Sequence, residues 1–140
     1  MRLARALALL SLLAFPGIAA EPEKVVRSVL PGETVRVYIA YHTERDCTRS
    51  GEIRLAVIEA PAQGRLFAKD TTTRGGFGYN NPRYHCNQRQ IAAVEILYEA
   101  SGKADGLQRT RFGLVFSDGL MRVIEAEITV WAPPAEPKAE

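Results

Sequence analysis

Along the chain, apolar and polar residues alternate with a period of two in short runs, each bounded by Gly, Pro, Asn or Asp. That period puts successive side chains on opposite faces of a half-buried strand, and no stretch carries the repeat of a convincing amphipathic helix. Residues 25–30 read as a first strand, stopped by Pro31-Gly32. A second, over 34–42, turns Val35, Val37, Ile39 and Tyr41 toward a core and Thr34, Arg36, Tyr38 and His42 away from it. Ile53, Leu55 and Val57 mark a third, which ends at Pro61 because proline has no N–H for a ladder. A short fourth runs from Gly64 through Leu66 and Phe67. In a fifth, over 93–98, Val94, Ile96 and Tyr98 share the inner face while Glu95 and Leu97 point out. Phe112, Leu114 and Phe116 line a sixth, and Ser117-Asp118-Gly119 supplies turn chemistry into the last. That seventh strand, over 121–131, aims Ile124, Ala126, Ile128 and Val130 inward and Glu125, Glu127 and Thr129 outward. The two outward glutamates read as a solvated edge that discourages strand addition.

Seven short strands predict an all-β domain, an immunoglobulin-like antiparallel β-sandwich over 21–131, with a small barrel as the alternative. The antibody-type tryptophan between the cysteines is missing, since Trp131 falls in the last strand. Residues 132–140 are too proline-rich and polar to pack, and read as a disordered tail.

Residues 1–20 carry the marks of a removable export signal: Arg2 and Arg5, an apolar stretch over 6–15, and small residues at 16–20. The apolar stretch is too short to span a bilayer, and no later segment is long enough. Removing the signal takes two arginines from the 18 basic residues, leaving 16 against 16 acidic ones. A neutral mature chain disfavours a general polyanion binder, nucleic acid included. The expected destination is the periplasm or the exterior. In an exported chain, Cys47 and Cys86 read first as a disulfide, worth roughly 4 kcal/mol by loop-closure entropy. The alternatives are a thiol nucleophile at Cys86 beside His85, or zinc on His42, Cys47, His85 and Cys86. No C-x-x-C or H-x-x-x-H spacing supports the metal reading, and no cofactor is expected.

The order of several short motifs resembles that of bacterial immunoglobulin-like and cadherin-like modules of exported proteins. Pro61-Ala62-Gln63-Gly64-Arg65-Leu66 is similar to their P-x-x-G-x-[VL] corner, and Tyr98 to the tyrosine of their Y-x-P step. The stretch from Phe112 through Asp118-Gly119 looks like their F-x-[YF]-x-V-x-D-G run, and Ile128 and Val130 like their closing I-x-V strand. Ala100 replaces the usual proline after Tyr98. Arg109 and Arg111 stand where the calcium-binding members would need oxygen ligands, which argues against a calcium site. The resemblance implies a non-catalytic binding or structural module.

One segment asks for a separate explanation. Between the fourth and fifth strands, residues 70–90 form a loop of a length uncommon inside compact domains. It holds Arg74, Phe77, Tyr79, Arg83, Tyr84, His85 and Arg89, the arginine and tyrosine chemistry of binding hot spots. Cys86 would pin it to Cys47 and reduce the ordering cost of binding a protein or glycan. The plainer reading is that Tyr79 and Tyr84 cover the open end of the sandwich and the arginines are solvated. Convergence of Arg109 and Arg111 on the loop arginines would instead make an anion site. Gly76-Phe77-Gly78 fails as a phosphate loop, having no following helix and no lysine. A small enzyme or metal binder using His42, Asp46 and His85 is the competing class, provided the disulfide draws those residues together.

Overall fold

The computed structural model describes residues 20–134 and Pro137. The expected signal therefore lies outside the described residues except for Ala20, as do positions 135, 136 and 138–140 of the expected tail. Seven strands form: β1 (Glu23–Val29), β2 (Thr34–Ala40), β3 (Ile53–Glu59), β4 (Arg65–Arg74), β5 (Gln90–Glu99), β6 (Gly106–Phe116) and β7 (Met121–Val130). They divide into a four-stranded sheet in the order β1-β7-β6-β3 and a three-stranded sheet in the order β2-β5-β4. The result is an all-β sandwich of two sheets. Among the described residues no helix is long and apolar enough to cross a membrane.

The alternation read from the sequence is why the sheets face each other. Val94, Ile96 and Tyr98 from one sheet bury against Phe112, Leu114, Ile124, Ala126, Ile128 and Val130 from the other, each at most 3% exposed. Burial of this kind stabilises by roughly 25 cal/mol per Å² of apolar surface, so these positions carry most of the fold's favourable free energy.

Four expectations need correction. First, the sandwich is not wholly antiparallel, because β1 runs parallel to β7 from Glu23↔Ile124 to Val29↔Val130. Second, a bulge between Arg36 and Tyr38 switches the faces of β2. Val35 and Val37 point inward as expected, but beyond the bulge Tyr38 packs on the core and Ala40 is buried, while Ile39 is released from it. A second bulge, between Val57 and Glu59, leaves Val57 46% exposed. Third, β4 continues through Thr71, Thr72 and Thr73 to Arg74, which pairs with Gln90. Fourth, Glu125 and Glu127 are not a bare edge: β7 lies between β1 and β6, and these acids meet Arg111 and Arg109 at 3.8 and 3.4 Å.

The connections gather at two ends. At one end, Gly32 N–H donates to the Ser101 carbonyl at 3.2 Å and Asp105 N–H to Gln63 Oε1 at 3.0 Å. Here Pro61 is buried, and the Tyr98 hydroxyl donates to the Gln63 carbonyl. Gly64 has φ +110°, and a Cβ at that position would lie 2.4 Å from the Glu99 carbonyl and 2.8 Å from the Tyr98 ring. Only glycine fits both the left-handed conformation and the close approach. At the other end, the β2–β3 loop, the β4–β5 loop and the β6–β7 turn come together, and the two cysteines and the singled-out loop lie there.

Candidate functional site

The loop over 75–89 is built, not slack. Phe77 N–H donates to Asn87 Oδ1 at 2.9 Å, and Asn87 Nδ2 returns a bond to the Phe77 carbonyl at 2.8 Å. One amide side chain thus satisfies both backbone groups of a residue ten positions away, as a neighbouring strand would. Gly76 N–H donates to the Tyr41 hydroxyl at 2.9 Å. Asn81 accepts at its side chain from Arg83 N–H at 2.8 Å and at its carbonyl from Tyr84 N–H at 2.9 Å. These bonds lead into a short 3-10 helix, Tyr84–Gln88, whose one buried residue is Cys86. Short 3-10 turns of this kind serve as connectors, and their poorer bonding leaves no apolar repeat for the sequence to reveal.

Cys86 closes a disulfide with Cys47 of the β2–β3 loop, with the Cα atoms 5.5 Å apart. No free cysteine is left. Around it a second, smaller core forms from Cys47, Cys86 and Ile91, flanked by Tyr41 and Phe77, whose rings meet edge to face at 5.5 Å. Cys47 takes a positive φ of 70°, and the turn carrying it is fastened by Asp46, whose Oδ1 accepts from Thr48 N–H at 3.0 Å and from the Thr48 hydroxyl at 2.6 Å. Those bonds to its charged form hold the Asp46 carboxyl below its ordinary value. A closed disulfide fits an oxidising, non-cytoplasmic setting.

The seven loop residues play different parts. Phe77, not the tyrosines, covers the open end, since its ring is half-buried in the small core. Tyr79 is 81% and Tyr84 44% exposed, and the two rings pack edge to face at 5.2 Å with an interplanar angle of 68°. Arg83 is half-buried and its Nε donates to the Thr43 carbonyl, which fixes the guanidinium against the β2–β3 loop. Arg74 and Arg89 are exposed, and among the described residues neither side chain has a hydrogen-bond or carboxylate partner. His85 is exposed with its Nε2 3.7 Å from Cys86 Sγ. Arg109 and Arg111 do not join the loop arginines, being paired on the outer face of β6.

The trio His42, Asp46 and His85 is not brought together. His42 stacks edge to face on Phe116 at 5.5 Å, and its Nε2 lies 3.9 Å from Asp118 of the β6–β7 turn. Asp46 is engaged by Thr48, and His85 sits on the disulfide. Among the described residues, the metal-ligating side chains close enough to share an ion are Cys47, His85 and Cys86. Two of these donors are bonded to each other, so the set does not fit a resident metal.

Sequence reasoning missed a feature next to the loop. A groove of about 790 Å³ opens between the start of β1 and the β6–β7 turn, walled in part by Glu23, Tyr41, His42, Phe116, Leu120 and Arg122. Two of its walls are tied together by Tyr38, whose hydroxyl donates to Glu23 Oε2 at 2.9 Å and accepts from Arg122 Nη1 at 3.1 Å. Burial pushes the Tyr38 hydroxyl above its ordinary value, so it stays protonated and able to donate. These residues come from three separate strands and only the topology joins them.

No known protein family, no curated protein and no solved structure matches the chain.

Proposed function

We propose that the chain is an exported, non-catalytic immunoglobulin-like module, periplasmic or secreted, that contacts a protein or glycan partner through the loop from Arg74 to Arg89. The observation that carries this reading is the exposed Tyr79–Tyr84 pair, held outside the packed core on a loop that is fixed from beneath. Tyrosine rings supply large contact area at low conformational cost, and a loop ordered in advance spends little entropy on binding. The likeness to bacterial immunoglobulin-like and cadherin-like modules is supported by the way its motif fragments meet: the Pro61–Gly64 corner receives the Tyr98 hydroxyl and seats the Tyr98 ring. Catalysis through His42, Asp46 and His85 has no such support, because each has a different partner.

The test is a comparison of the mature protein with a Tyr79→Ser/Tyr84→Ser variant as bait on envelope extract of the source cell. The expected result is a partner retained by the wild type and lost by the variant at equal folded fraction. Equal retention by both removes the loop from the reading. Metal bound at one equivalent, with both thiols reactive in the purified protein, overturns the non-catalytic module in favour of the metal binder.

A further inference from the structure

From the charges around the loop we infer that its partner is a protein, engaged through an acidic segment; this rests on the loop being the contact surface. Five arginines elsewhere lie within 4 Å of a carboxylate: Arg49 with Asp70, Arg54 with Glu52, Arg65 with Glu99, Arg109 with Glu127 and Arg111 with Glu125. Among the described residues Arg27, Arg36, Arg45 and Arg122 have no such partner either, so what sets the loop apart is its sequence. From Thr71 to Val94 the sequence holds three arginines and a histidine and no acid at all. Arg74, Arg83 and Arg89 have no carboxylate partner among the described residues. The nearby acids of the β2–β3 loop, Glu44 and Asp46, are engaged by Ser50 and Thr48, so in a mature chain whose charges balance the loop arginines leave a local excess of positive charge, which steers an anionic partner.

Arg83 gives that field a directional element. Its Nε is held by the Thr43 carbonyl, so the planar head is fixed before anything binds, and its Nη atoms make no bond among the described residues. A fixed guanidinium with free terminal N–H groups presents a fork that a carboxylate accepts in two parallel bonds. Tyr84 follows it directly in the 3-10 helix, and Tyr79 packs on Tyr84. An arginine flanked by exposed tyrosines is the composition enriched at the energetic centre of protein interfaces.

The ring geometry separates a protein from a glycan. A sugar stacks on an open aromatic face, and a flat platform needs rings that lie side by side. Here the rings stand at 68° with the edge of one turned to the face of the other, so they form no continuous flat platform. Side chains of a polypeptide, which fill angular pockets and bring carboxylates on short stems, fit this shape better.

The experiment is selection of a random peptide library on the full mature protein, followed by titration of the selected peptides against wild type, Arg83→Gln, Arg89→Gln, Arg109→Gln and Tyr79→Ser/Tyr84→Ser. The expected result is enrichment of Asp or Glu beside an apolar residue, binding that weakens with added salt, and a loss of about ten-fold for Arg83→Gln. Arg89→Gln gives a smaller loss, and Arg109→Gln, which is already paired, none. Arg89 holds nothing in place, so its variant reads charge even where Arg83→Gln loosens the loop. Peptides without acids that still need the tyrosines overturn the acidic partner while leaving the loop as the contact surface. Competition by polygalacturonate at equal or better affinity overturns the protein in favour of a glycan. Peptides that bind every variant equally overturn both the inference and the reading beneath it.

Discussion

Two residues show how a single position can be dictated by its surroundings. Gly64 holds a left-handed φ within 2.4 Å of a backbone carbonyl, measured from where a Cβ would sit, so neither a turn of the chain nor a rotamer change relieves a side chain there. Gly64→Ala is expected to cost about 3 kcal/mol, combining backbone strain with displacement of Tyr98 and its bond to the Gln63 carbonyl. Urea unfolding would show it, and a loss under about 1 kcal/mol would mean that the corner shifts freely. Asp46 is the opposite case, fully exposed yet engaged. Its carboxyl titrates below 3.8 because only the charged form accepts both Thr48 bonds well. With the folded value depressed, its contribution is complete above the unfolded value and disappears as pH falls through the folded one. The Thr48 amide signal should therefore move with a midpoint below 3.8, and a midpoint at or above it would contradict the bond.

Strands whose inner faces are apolar were legible, and those whose inner faces are polar were not. The pattern of β7 is realised residue by residue, with Ile124, Ala126, Ile128 and Val130 buried. In β6 only the half from Phe112 onward was visible, because the inner face of the other half is Gln108 and Thr110. Both are buried and satisfied, Thr110 Oγ1 by the Glu59 carbonyl at 2.7 Å and Gln108 by Gln63 and the Asp105 carbonyl. Buried polar groups with full partners are compatible with a strand, but no hydrophobicity pattern can announce them. The outer half of β4 was hidden for another reason: Asp70-Thr71-Thr72-Thr73 pairs only on one side and contributes little to the core, so selection for apolar residues is absent there. Bulges are equally silent, since one extra residue in β2 reverses every face after it. Phe77 belongs with these elements as the ring that seals the small core. Phe77→Ala should destabilise by about 2 kcal/mol, less than a fully buried phenylalanine would. Tyr79→Ala, at 81% exposure, should change stability by no more than about 0.5 kcal/mol. Chemical denaturation of both variants would separate the residue that holds the loop from the one it displays.

At the scale of the molecule, the two hydrophobic clusters share no buried residue. One lies between the sheets and the other under the loop. The composition of the loop and its cysteine could be read from the chain, but the groove beside β1 and the pairing of the charges could not, because they depend on which strands the topology makes neighbours. The small core is built from Cys47, Cys86 and Ile91 with two partly exposed rings, too little apolar area to order fifteen or so residues against their conformational entropy without the covalent link. Reduction should therefore act at two levels. Global stability should fall by about 4 kcal/mol, the loop-closure contribution of two cysteines 39 positions apart. Beyond that, the amides of Phe77, Cys86 and Arg89 should exchange through local opening, while those of β6 and β7 still exchange only through global unfolding. Hydrogen exchange of the protein before and after dithiol treatment would resolve the two. A uniform loss of protection across loop and strands would instead make the loop one cooperative unit with the sandwich. In the expected case the reduced protein keeps its fold and loses the fixed orientation of Arg83 and the tyrosines, so it should bind its partner more weakly than the oxidised form by the cost of ordering the loop again.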